Sequence, residues 1–158
     1  MAQEQLSVSE RRNQSREIVE KMLQERREML VLLCEVSGLR PFGADKPVKE
    51  SLQKFCNVLI DYIASAHFGL YERIAEGKER RQSVVRIAHS TYPFISETTQ
   101  AAIEFNDKYE TLDPEMIEKH LQEDISKLGE ILTARIEYED QLIAAMIGDP
   151  SLSLEPVQ

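Results

Sequence analysis

Apolar residues recur at spacings of three and four along most of the chain, the periodicity of a single helix face. In the first such stretch they are Ile18, Val19, Met22, Leu23, Met29, Leu30, Leu33 and Val36. Ser7 or Ser9 can cap its start, Gly38 is a natural stop and Pro41 lies just beyond, so a helix is predicted over about 8–37. After a loop from Arg40 to Lys46, Pro47 suits the first turn of a second helix, about 47–76, which Gly77 ends. Lys78-Glu79-Arg80-Arg81-Gln82 reads as a polar connector. A third helix over about 83–106 is expected to break near Pro93, whose nitrogen has no proton to donate, and to give way to a non-helical stretch from Asn106 to Thr111. Asp113-Pro114-Glu115 opens a fourth, with a capping carboxylate, proline in the first turn and acids at the positive end of the dipole. It runs over about 114–147 and stops at Gly148-Asp149-Pro150. Residues 151–158 read as a disordered tail. The pattern predicts an all-α fold, an antiparallel four-helix bundle with an interrupted third helix, in a single domain over residues 1–150.

The second helix departs from a plain amphipathic pattern. It is apolar around most of its girth, yet Asp61, Ser65, Phe68 and Glu72 follow one another at steps of four, three and four and so share one face. That stripe sets a large aromatic between two carboxylates. As pure structure, Phe68 would be an ordinary core residue and Asp61 an acid at the edge. As a binding surface, Phe68 is an aromatic anchor ringed by acids that suit Arg and Lys on a partner.

The fourth helix places charge on its core seam. Leu121, Ile125, Leu128, Leu132, Arg135, Glu139, Leu142 and Met146 form one stripe, so Arg135 and Glu139 stand one turn apart where apolar residues are expected. On the second helix, His67 lies with Ile60, Ile63, Tyr71 and Ile74. Two readings follow: a buried polar network of His67, Tyr71, Arg135 and Glu139, or a charged pair that leans to the bundle edge and reaches water.

Composition narrows the function classes. Among 158 residues there are six Gly, six Pro and no Trp, which fits helices and one core. No apolar run approaches the roughly 20 residues that span a bilayer, and the polar start Met1-Ala-Gln-Glu-Gln lacks a signal-peptide core, so a cytoplasmic protein is expected. Cys34 and Cys56 both fall inside apolar helical pattern and are expected to be reduced and buried. The formal charge of −9 argues against direct nucleic-acid binding and favours a basic partner, or simply a soluble surface. The charge is uneven: Asp113 to Asp149 hold ten acids against Lys119, Lys127 and Arg135, whereas Ser7 to Gly38 balance six against six.

No chemistry of an enzyme is legible. Ala64, Arg86 and Ile117 stand three residues before His67, His89 and His120, so the Glu-x-x-His spacing of carboxylate-bridged metals is missing at every histidine. Three scattered His and two Cys suit neither zinc nor haem, and no nucleophile motif or phosphate-binding glycine loop stands in context. Neither metal, cofactor nor catalytic residue is expected. Arg73, Lys78, Arg80, Arg81 and Arg86 are interleaved with Glu72, Glu76 and Glu79 and read as a solvated loop rather than an anion site.

Several short runs carry a resemblance. Asp61-Tyr62, His67-Phe68 and Tyr71-Glu72-Arg73-Ile74 are joined by Leu30-Val31 leading to Gly38-Leu39-Arg40-Pro41, by Phe55-Cys56, and by Ala134-Arg135 with Glu139-Asp140 and Leu142-Ile143. Together, from about residue 16 to 147, they resemble the Rsd/AlgQ family of small bacterial proteins that bind the primary sigma factor of RNA polymerase. The resemblance implies an all-helical fold and an anti-sigma role. In that role, an acidic helical face would cover the basic −35-recognition domain of sigma, lower its use by polymerase and favour alternative sigma factors. It places Asp61 and Phe68 among the residues that bind sigma; Ser65 and Glu72, which share their stripe, are assigned with them to the partner surface, and Ile18 and Met22 of the first helix are expected to add apolar area. Family members often carry Trp where this chain has Met22. They have also been connected to stringent-response and phosphotransfer-system proteins, so a helical binding module for another cytoplasmic regulator is the alternative. Self-association of the free protein through the Phe68 stripe stays open.

Overall fold

The computed structural model describes residues 8–38, 48–77, 79 and 81–147. Among them every regular element is helical and no strand occurs: α1 (Val8–Gly38), α2 (Val48–Ala66), a π-helical turn (His67–Tyr71), α3 (Glu72–Ala75), α4 (Gln82–Thr111) and α5 (Pro114–Ile147). The expected loop over 40–46 and tail over 151–158 lie outside the described residues. The principal pairings are α4 with α5, α1 with α2, α1 with α5 and α2 with α4, so each long helix packs on two others.

The ends are set by local chemistry. Gly77 adopts a left-handed φ of 77° and donates to the Ile74 carbonyl at 3.0 Å, closing α3 in a conformation that side chains with a Cβ resist. Asp113 caps α5, its Oδ1 accepting from the Met116 amide at 3.0 Å, with Pro114 in the first turn. At the other end of α5, Arg81 donates from Nη1 to the Met146 carbonyl at 2.5 Å while Glu79 holds its Nε at 3.0 Å. Arg81 is therefore a helix clamp, not the freely solvated connector residue expected.

The core is a continuous cluster in which Met22, Met29, Phe55, Leu59, Tyr62, Leu70, Leu132 and Leu142 lose all contact with solvent. Each such side chain contributes about 1.5–3 kcal/mol by burial. Phe55 of α2 meets Phe105 of α4 edge-on, ring centres 6.0 Å apart. Phe94 of α4 stacks on Tyr138 of α5 at 4.6 Å.

Three expectations about continuity are corrected. Helix α4 does not break near Pro93; it runs unbroken from Gln82 to Thr111. Proline removes one backbone donor, but Ala88, Thr91, Ile95 and Thr98 bury their side chains on both sides of it and keep the axis in place. The predicted end at Asn106 also fails, because Lys108 and Tyr109 both bind Asp124 of α5, at 2.6 and 2.5 Å, and hold the last turns. The interruption falls instead in the second rod, at the π turn. Cys34 is exposed rather than buried, whereas Cys56 is buried and its thiol is pushed up to about 12, by burial first and by Glu110 second.

Candidate functional site: a buried polar knot under an exposed aromatic

Arg135 and Glu139 are both shut off from water, at 1% and 0% exposure, and pair through Nε and Oε2 at 2.8 Å. The other carboxylate oxygen of Glu139 accepts from the Tyr62 hydroxyl of α2 and, at 3.0 Å, from Arg26 Nη2 of α1. Arg26 also binds Asp140 at 2.8 Å. The Nη1 of Arg135 crosses to α4, where it donates to Thr99 and Thr98 at 2.8 and 3.1 Å, and its guanidinium lies 5.6 Å from the centre of the Tyr62 ring. Two guanidiniums face two carboxylates, so the knot is neutral while tying four helices at one level.

Protonation follows from these contacts. Burial raises the Tyr62 pKa and Glu139 raises it further, which keeps the hydroxyl a donor. For Arg26 burial works in the opposite direction, but the facing Tyr62, Glu139 and Asp140 outweigh it and fix the positive charge. Such a knot adds little net stability, because desolvation consumes most of the Coulombic gain. It turns Tyr62 of α2 inward to Glu139, while the neighbouring Asp61, a turn-fraction around the helix, is exposed.

The outward face changes geometry at the π turn. The Glu72 amide donates to the His67 carbonyl, five residues back, so one extra residue enters the turn. Gly69 lies at this bend against α1: a Cβ built on it would sit 3.0 Å from Ile18 Cγ2. Phe68 projects into solvent at 66% exposure, with the His67 ring edge-on to it at 4.9 Å. Among the described residues of this rod no other large apolar side chain is exposed.

The extra residue also divides the expected stripe. Asp61 and Ser65 line a groove of about 550 Å³ shared with Lys21, Gln24, Glu25 and Glu28 of α1, and Ser65 donates to Glu25 at 2.6 Å. Glu72 lies beyond the π turn on a second groove of about 860 Å³, with His67, Tyr71, Ile74 and Ala75 on one wall and Ala88, His89, Tyr92 and Pro93 of α4 on the other. Phe68, next to His67, stands between them.

Three assignments are corrected. Met22 has 0% exposure, because it falls on the α1 stripe with Val19 and Met29 that faces the core, so it adds no partner area; Ile18 is half-buried at the rim. His67 is exposed, turned out by the π turn, and takes no part in the knot. Tyr71 is buried and faces Thr91, whose hydroxyl donates to the Ile87 carbonyl at 2.9 Å; the Tyr71 hydroxyl makes no hydrogen bond of good geometry with Arg135 or Glu139. Burial pushes it up to about 12.

Sequence reasoning passed over Arg26, Tyr62, Asp140, Thr98 and Thr99. For Arg26 a signal existed: it stands in register with Val19, Met22 and Met29, a charge on a core seam matching the Arg135 and Glu139 seam of α5. Among the described residues no group of three His, Cys, Asp or Glu is placed to hold a metal, and no helix is long and apolar enough to cross a membrane.

Comparison with known proteins shows the family. Residues 1–147 match the family model described as Regulator of RNA polymerase sigma(70) subunit, Rsd/AlgQ. A protein named Regulator of sigma D from Yersinia enterocolitica (serotype O:8 / biotype 1B) is 35% identical over 141 residues, covering 87% of this chain and 84% of its own. Proteins of the same name from Yersinia pseudotuberculosis (serotype O:1b) and Enterobacter sp. (strain 638) are 33% and 31% identical, covering 87% of this chain and 83% and 85% of theirs. A match spanning all the described residues, with the core and the knot inside it, establishes that this chain belongs to the Rsd/AlgQ family.

Proposed function

We propose that the protein acts by occupancy: it binds the −35-recognition domain of the primary sigma factor, lowers its use by RNA polymerase and favours alternative sigma factors. The observation that carries the reading is Phe68, a ring at 66% exposure on the π turn, where Gly69 approaches Ile18 of α1. Around it Asp61 is exposed, Glu72 is half-exposed, and the chain as a whole carries −9, which complements a basic DNA-reading surface and steers its approach. Ile18 supplies apolar rim, and Ser65 holds Glu25 toward the same side. The names of the relatives point to the same partner.

In this reading residues 1–150 form a single cytoplasmic domain whose long helices run antiparallel. The pairing of Ile18 with Gly69 and of Glu25 with Ser65 supports that direction for α1 against the second rod. Binding, not catalysis, is the activity. Tagged protein should recover primary sigma from a bacterial lysate; Phe68→Ala should abolish recovery, and Glu118→Ala, on the exposed start of α5, should not. Equal recovery by both variants would refute the assignment of the surface.

A further inference from the structure

The groove between the π turn and Pro93 has more of the chemistry of a recognition pocket than the rest of the surface. Its volume of about 860 Å³ lies in the range of ligand-binding clefts, roughly 300–1,000 Å³. Its walls are aromatic and aliphatic: the Tyr71 and Tyr92 rings, 5.5 Å apart and tilted, with Ile74, Ala75, Ala88 and Pro93. At its lip stands Glu72. Where Glu139, Asp140, Glu79 and Asp124 each hold a basic partner, the Glu72 carboxylate makes no hydrogen bond or ion pair among the described residues.

We propose that this groove seats an arginine of the −35-recognition domain, its guanidinium stacked on Tyr92 and paired with Glu72, beside the apolar anchor at Phe68. This rests on the sigma-binding reading and extends it to α4, which carries none of the residues that reading uses. Charge complementarity selects the occupant. An unpaired carboxylate at the mouth of an aromatic cleft, on a chain of −9, favours a cation with a flat face and an apolar stem. Arginine has both, and its fork meets a carboxylate in two parallel hydrogen bonds, which the point charge of lysine cannot. Continuity supports the placement: His67 lines the groove and touches Phe68 edge-on at 4.9 Å, so one partner helix can cover both. The remaining volume takes an apolar side chain adjoining the arginine.

Tyr92 is 45% exposed and Glu72 half-exposed, so both tolerate substitution without loss of the fold. The isolated C-terminal domain of primary sigma is titrated against wild type, Tyr92→Ala, Tyr92→Phe and Glu72→Gln by calorimetry. Tyr92→Ala and Glu72→Gln should each weaken binding about tenfold, Tyr92→Phe less than threefold, and Glu72→Gln should also flatten the salt dependence. Wild-type binding with Tyr92→Ala and Glu72→Gln both within twofold of it would overturn the groove and leave the sigma reading intact. No binding by wild type would overturn both.

Discussion

Replacing Glu139 by glutamine removes one charge and almost no volume, which isolates the electrostatics of the knot. The carboxylate accepts from Tyr62, Arg26 and Arg135 at 0% exposure. With glutamine, two buried guanidiniums face the single carboxylate of Asp140, and the new amide group must point a donor at one of three existing donors. Breaking a buried pair in this way costs about 3–5 kcal/mol. Against a typical domain stability of about 5–15 kcal/mol that is a large fraction. For a chain of this length it corresponds to a fall in Tm of roughly 10 °C. Urea and thermal unfolding followed by circular dichroism read both quantities. Arg135→Met in the same background should cost less than the sum of the single losses by about 1–3 kcal/mol, because it removes one of the stranded charges. A loss under about 1 kcal/mol for Glu139→Gln, or strict additivity with Arg135→Met, would refute the knot as a coupled buried network.

Two further predictions concern the groups around it. Tyr62, Tyr71 and Cys56 all have pKa values raised by burial, so their protonated forms stabilise the fold below their ordinary pKa values and that stability is lost as pH rises through the raised ones. Stability should therefore fall between about pH 9 and 12, with tyrosinate absorbance lagging that of free tyrosine; a flat profile of urea midpoints across that window would contradict it. Gly69→Ala should destabilise by about 1 kcal/mol through the 3.0 Å approach to Ile18, yet become stabilising in an Ile18→Ala background, where the helix preference for alanine is unopposed. The same sign in both backgrounds would show that the close approach does not shape the π turn.

How far the sequence reveals this molecule depends on how local each determinant is. Gly77, Asp113 and Pro114 act within their own turns, so their roles at helix ends are local and readable from the sequence. Pro93 misled because a missing donor is a local penalty, while the side chains that hold α4 straight pack on other helices. The π turn was invisible for the same reason. Gly69 meets Ile18 about fifty residues away along the chain, and nothing in the spacing of Asp61, Phe68 and Glu72 announces the extra residue that parts them. That residue also turned His67 outward, where simple periodicity had placed it inside. Met22 was assigned to the surface as apolar area beside the stripe, although its register with Val19 and Met29 already marked it as core. Arg26 was hidden by the balanced charges of α1, which disguise one buried cation among six basic residues.

The central claim is that an exposed ring, on the rod that a buried knot ties to the other long helices, serves a partner rather than the fold. Titrating the isolated −35-recognition domain of primary sigma against wild type and Phe68→Ala, at low and at physiological salt, tests it most directly. Saturable binding is expected that weakens as salt rises and is lost by a factor of about thirty or more in Phe68→Ala, with the Tm of the variant unchanged. No binding at low salt, or equal binding by the two proteins, would contradict it.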